Sequence, residues 1–177
     1  LLHALVLGVE VECRLYRTLV GQERFWAPSV AGIFGTVTAA GLLLGLDEQQ
    51  MTWALGLAAT QASGLGNQGG TMAKTLNPGH SARCGVMAAL LAAQGFTAAE
   101  TSLESRRGFF DLFGRHGSEA LLNLEPAGTS TFEIEKNTYK AFPCGAVASA
   151  PIDACLQLQR RGDFVAADIE AVRLRVH

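Results

Sequence analysis

Lysine is scarce in this chain: Lys74, Lys136 and Lys140 are its lysines. Two of them stand in settings suited to holding an anion. Lys74 lies in a Gly-rich run, residues 63–80, that reads as a loop ahead of a helix over 81–95. An ammonium group beside the free N–H groups of a helix start attracts a carboxylate or phosphate. Lys140 repeats the arrangement ahead of Phe142-Pro143-Cys144-Gly145 and a helix to about Gln159. Each has a plainer reading as a solvated lysine, one in a loop and one at a domain edge. Of the 4 histidines, His3 and His177 sit at the chain ends and His116 in a charged turn. His80, opening the helix after Lys74, is the one placed for acid–base work. Cys144 near a helix start could carry a lowered thiol pKa; a buried, inert thiol is the plainer reading. The string Gly64-x-Gly66-x-x-Gly69 matches the dinucleotide fingerprint, but it follows a helix, Pro78 comes soon after, and no acidic residue follows at the required distance. It reads instead as a loop that lets another group approach the backbone. No metal-ligand cluster, Ser-His-Asp order or paired-carboxylate motif stands out.

The elements that would position these residues are mostly helices. Residues 1–20 form the first, with Ala4, Leu5, Gly8, Val9, Glu12 and Cys13 on one face. Pro28-Ser29 opens a second helix to about Leu46, with Ser29 as its N-cap. Asp47 and Gln50 have the spacing of a capping box for a third, to about Ala62. Gly95 ends the helix over 81–95, and Thr97 caps a short helix through Ala98 to Leu103. Residues 104–117 are a charged, aromatic turn region, Ser118–Leu124 is a short helix, and Pro126–Ser130 is a break. Beyond it Phe132–Tyr139 and Asp168–His177 alternate like strands. The fold class is therefore mainly α: a helical domain over 1–130, then the opening of a smaller α/β domain over 131–177.

Composition narrows the function classes. In 177 residues the apolar share is 49% and the charged share 17%, against roughly 25% in ordinary soluble domains. Such a chain is not disordered. A net charge of −2 argues against nucleic acid as a partner. The stretches Phe25–Leu46 and Gln49–Ala73 lack charge and are long enough to cross a bilayer. Their glycines, hydroxyls and amides point instead to close helix packing, as does the Ala-rich stretch Cys84–Ala99. Glu10, Glu12, Arg14 and Arg17 interrupt the apolar opening, unlike a secretory leader. The 4 cysteines (Cys13, Cys84, Cys144 and Cys155) match no zinc module. They read as reduced thiols of a cytoplasmic protein. The opening without Met, in mid-pattern, reads as a central segment of a longer protein.

The stretches LGVEVECRL, APSVAGIFGTVTAAGLLLGL, GGTMAKTLNPGHSARCGVMAALLAAQGFTA, LESRRGFF and YKAFPCGAVASAPIDACL resemble the MmgE/PrpD family, in order and over nearly the whole chain. Members include 2-methylcitrate dehydratase, cis-aconitate decarboxylase and iminodisuccinate epimerase. The resemblance implies an all-helical domain, a smaller α/β lid, an active site between them, and a homodimer. It implies cofactor-free lyase or isomerase chemistry on small di- or tricarboxylates, with no metal. The family's GTM-x-K lysine falls on Lys74, and its lid-edge lysine on Lys140. These would bind substrate carboxylates, with Gly70 and Thr71 shaping the loop against substrate. Three positions where the family often has histidine carry Trp26, Asn77 and Ser149 here. The catalytic group is thus unassigned, with His80 as a substitute, and the segment alone is expected to be inactive. The alternative is a divergent, non-catalytic homologue serving as a binding or structural subunit. Helices this poor in charge should leave apolar faces exposed on the isolated segment.

Overall fold

Glycine decides how near the first two helices can come. The computed structural model describes residues 1–21, 25–114, 122 and 131–175. In it α1 (Leu2–Thr18) and α2 (Ala27–Leu44) cross backbone to backbone. A Cβ added at Gly8 would lie 2.7 Å from the Gly35 carbonyl oxygen, and one at Gly35 would lie 2.8 Å from that of Gly8. α3 (Glu48–Ala59) follows a turn at Gly45, whose φ of 71° is left-handed and suits glycine. Its capping box is formed: the Asp47 carboxylate accepts from the Gln50 N–H at 2.7 Å, and the Gln50 side chain accepts from the Asp47 N–H at 3.1 Å. α4 (Ala73–Ala93) lies against α2 just as closely, since a Cβ at Gly85 would meet Thr36 Cβ at 2.7 Å.

α2 is the centre of the packing, in contact with α1, α3 and α4. Its Val30, Ala31, Ile33, Phe34 and Val37 are sealed from solvent. By length and composition α2 is apolar enough to cross a membrane; here half of it is buried inside the protein. The short helix α5 (Phe109–Phe113) closes one end. The Phe109 ring meets Phe34 edge-on at 4.7 Å, and Phe113 does the same with Phe25 at 5.4 Å. Such pairs add about 0.5–1.5 kcal/mol beyond the area they bury.

A buried ionic network ties residues 133–136 to α1. Glu10 pairs with Arg14 at 2.6 Å and also accepts the Glu133 backbone N–H at 2.6 Å. The Glu133 carboxylate in turn pairs with Arg17 and, at 2.8 Å, with Lys136. Burial alone would raise the Glu133 carboxyl pKa, but the hydrogen bonds and charges of Lys136 and Arg17 outweigh it and hold the group below the usual range.

The chain divides into two compact units, Leu1–Lys136 and Asn137–His177. In the second, α6 (Ser149–Arg161) is preceded by a 3-10 turn at Ala146–Ala148 and stopped by Gly162 at φ 70°. None of residues 137–175 is buried within this chain.

Several expectations are corrected. Trp26, not Ser29, is the N-cap of α2; Pro28 sits in the first turn, where its missing N–H does no harm, and this pushes Ser29 inside. α4 begins at Ala73 rather than 81 and carries Pro78 within it. Pro78 leaves the Lys74 carbonyl without its helical N–H donor. The buried face that follows (Ser81, Cys84, Gly85, Ala88, Ala89 and Ala92) holds the helix together nonetheless. α3 stops at Ala59, and residues 98–103 form turns closed by bonds such as Ser102 N–H to Ala99 O at 3.2 Å. Residues 133–136 form a 3-10 turn, not a strand. The Glu133–Lys136 bond explains this, because an extended strand would hold those residues roughly 10 Å apart. Residues 169–175 have no strand partner among the described residues, so their alternation makes no sheet. His116, the Pro126–Ser130 break and, apart from Leu122, the Ser118–Leu124 helix lie outside the described residues.

Two outcomes follow for stability. Gly8→Ala gains about 1 kcal/mol of helix propensity but meets a carbonyl that cannot rotate away, at about 1–3 kcal/mol. A net loss on denaturant unfolding is expected. Glu133→Gln should lower the melting temperature at neutral pH. Because the folded pKa of Glu133 is depressed, its stabilisation is complete above the unfolded value of about 4.3 and is lost as pH falls through the folded value. Melting curves of mutant and wild type should therefore converge in acid.

Candidate functional site

The starts of α2 and α4 build one small polar corner in the first unit. The Trp26 N–H donates to the Gly64 carbonyl at 3.0 Å, and Phe25 and Leu65 form an antiparallel bridge. These bonds press the loop after α3 onto the start of α2. Gly64 has φ 138°, and a Cβ there would lie 3.3 Å from Trp26 Cβ and 3.2 Å from Ser29 Cβ. From α4, the Ser81 hydroxyl donates to the Ser29 carbonyl at 2.9 Å, fixing the two helix starts together.

Lys74 sits in the first turn of α4, with its ammonium 5.1 Å from the centre of the Trp26 ring. It is exposed and, among the described residues, pairs with no carboxylate. A cation in a first helical turn works against the helix dipole, so an incoming anion would gain from both the ammonium and the helix start. The indole face offers attraction while leaving the positive charge uncancelled. The structure places Lys74 in a helix rather than a loop and brings it together with Trp26.

The neighbouring loop divides its roles. Gly70 has φ 81° and open space where a side chain would be, so a ligand can approach the backbone there. The Thr71 hydroxyl instead donates to the Gln68 carbonyl at 2.8 Å, which shapes the loop. Asn77 lies one turn from both Lys74 and Ser81. His80 lies about 120° around the helix from Lys74. Its ring is held between Arg83, 3.3 Å from Nδ1, and the Cys84 sulfur, 3.4 Å from Nε2. His80 and Lys74 are thus on different faces. In the second unit Lys140 is exposed, and Ser149 is the first residue of α6.

Sequence reasoning missed two groups. Ser29, taken for a cap, is 1% exposed, and its hydroxyl has no hydrogen-bond partner among the described residues. Glu12 lies between α1 and α2: its Oε1 and the Ser81 hydroxyl each fall 3.4 Å from the point where a Gly32 Cβ would be. Burial pushes the Glu12 carboxyl pKa up. The signal was present as a carboxylate on the otherwise apolar face of the first helix. The Cys13 thiol is also pushed up, by burial first and then by the Glu12, Glu133 and Glu10 charges, against the pull of Arg17. The four cysteines Cys13, Cys84, Cys144 and Cys155 are free.

Elsewhere, a cleft of about 280 Å³ lies between the end of α3 and the 99–113 segment, lined by Gly56, Thr60, Ser102, Ser105, Arg107 and Phe109 among others. It contains none of the residues singled out from sequence. Among the described residues, no three His, Cys, Asp or Glu side chains are grouped to hold a metal ion.

Comparison with known proteins agrees with the helical core. The MmgE/PrpD N-terminal domain matches residues 1–120. Cis-aconitate decarboxylase of Aspergillus terreus is 34% identical over 168 residues, covering 89% of this chain and 34% of that protein. The mouse enzyme of the same name is 29% identical, covering 99% of this chain and 38% of its own length. The human one is 31% identical, covering 90% and 34%. The chain therefore spans little more than a third of the relatives it matches. With a domain match over most of its length and a helical core built as described, the chain belongs to the MmgE/PrpD family.

Proposed function

We propose that this chain is the substrate-carboxylate-binding segment of a cofactor-independent lyase or isomerase acting on small di- or tricarboxylates, with decarboxylation of the cis-aconitate type as the first choice. The observation that carries this is Lys74: an ammonium in the first turn of α4, seated over the Trp26 ring and with no carboxylate partner among the described residues. The names of the curated relatives support the decarboxylase choice. In a decarboxylation the C–C bond to the departing carboxylate breaks, CO2 leaves, and the electron pair stays on carbon until a proton arrives. A cation held on a remaining carboxylate stabilises the charge that develops. Lys74 supplies such a cation, Lys140 a second, and Gly70 lets the substrate approach the loop backbone. The proton donor is assigned to a group beyond these 177 residues.

We further place the protein in the cytoplasm as a homodimer. Leu76, Val86, Met87 and Leu90 of α4 are exposed apolar side chains, which supports association. A second reading, a non-catalytic homologue that binds without turning over, is favoured by one observation. Trp26 stands where the family often has a titratable histidine, and it engages Lys74 itself.

Two measurements test the proposal. In Trp53→Phe, Trp26 is the sole indole, and citrate should change its fluorescence saturably. Lys74→Ala should weaken that binding at least tenfold, and Lys140→Ala should weaken it separately. Unchanged citrate affinity in Lys74→Ala contradicts the assignment. The 177-residue chain should release no CO2 from cis-aconitate; steady turnover would place the proton-transfer group within it.

A further inference from the structure

Two buried polar atoms of the first unit have no hydrogen-bond partner among the described residues: the Ser29 hydroxyl and the Asn77 side-chain nitrogen. Leaving such a group unpaired costs about 1–3 kcal/mol, so a pair of them calls for a cause. Both belong to the starts of the two helices that the Ser81–Ser29 bond joins. Ser29 belongs to the first turn of α2 and Asn77 to the second turn of α4, and Ser81, one turn beyond Asn77, donates to the Ser29 carbonyl at 2.9 Å. Lys74 lies one turn before Asn77, and its ammonium is over Trp26, the N-cap of α2. The Ser29 hydroxyl lies 3.5 Å from the point where a Gly64 Cβ would be, beside the clamped loop.

The start of α2 is also underused. Trp26 provides no side-chain cap, and Pro28 has no N–H to give. The Ser29 and Val30 N–H groups turn back to the Trp26 carbonyl at 2.9 and 3.3 Å. Among the described residues no hydrogen bond from the Ala27 N–H is seen, as expected of a first helical position. A hydroxyl, an amide NH2, a backbone N–H and an ammonium can each donate here, and among the described residues the hydroxyl and the amide nitrogen have no hydrogen-bond partner and the ammonium no carboxylate. Their complement is an acceptor-only anion.

We propose that the Ser29 hydroxyl and the Asn77 amide are ligands of a substrate carboxylate, the one that Lys74 draws to this corner. This rests on the polycarboxylate reading of the site and adds two binding residues to it. It also gives Asn77 a role of its own: a neutral donor that holds a carboxylate without moving a proton.

The test uses the 177-residue chain, with citrate as the probe, and the variants Ser29→Ala and Asn77→Leu. Each removes an unpaired polar group and keeps most of the volume. The melting temperature of the free chain should stay level or rise, and citrate affinity should fall about tenfold in each variant. Unchanged affinity in both variants while Lys74→Ala weakens binding overturns this inference and leaves the polycarboxylate reading standing. A lower melting temperature in Ser29→Ala with full citrate affinity also overturns it, because the hydroxyl is then structural. A wild-type chain that does not respond to citrate overturns both.

Discussion

The backbone approach of α1, α2 and α4 is the constraint on which the rest of the first unit depends. Gly8 and Gly35 face each other's carbonyls across one crossing, and Gly85 meets Thr36 across the other. Contacts this short leave no room for larger side chains. Small residues are therefore required where the helices cross, at Gly8, Gly35 and Gly85. The same closeness brings the starts of α2 and α4 within hydrogen-bond range of each other, as the Ser81–Ser29 bond records. Were the helices a residue's width further apart, Lys74 would have no indole to rest on.

Charge is spent sparingly, and its placement separates scaffold from site. Against α1, charges are paired in a network: Glu10 with Arg14, and Glu133 with Arg17 and Lys136. That network fixes residues 133–136 to α1. At the α2–α4 corner Lys74 pairs with no carboxylate among the described residues, and the Ser29 hydroxyl and Asn77 amide nitrogen stand there without partners. An ion pair there would hold Lys74 as firmly as Trp26 does, but it would consume the charge that an anion needs.

What could be read from the residues was mostly local. The Asp47–Gln50 capping box follows from a three-residue spacing and forms as expected. Lys74 and Lys140 stand out because lysine is scarce. Tertiary packing decided the rest. Pro78 reads as a loop residue, yet α4 runs through it because the face beyond is buried against α2. The alternation at 132–139 reads as a strand, yet Glu133 is drawn to α1 and folds the segment into a turn. Ser29 reads as a cap because hydroxyls favour that place; that it lies inside α2 with an idle hydroxyl appears only once the helix start is fixed at Trp26. Glu12 was visible on an apolar face, but its burial depends on Gly32 and Gly35 of another helix.

The central claim is that the corner formed by α2 and α4 receives a carboxylate, although a cleft of about 280 Å³ lies elsewhere, beside Arg107. An amide NMR titration of the chain with citrate tests it most directly. The account predicts that the largest shifts fall on the Trp26 indole N–H, Ala27, Ser29 and residues 70–81. Shifts centred on Thr60, Ser102, Ser105 and Arg107, with the Trp26 indole unmoved, would contradict it.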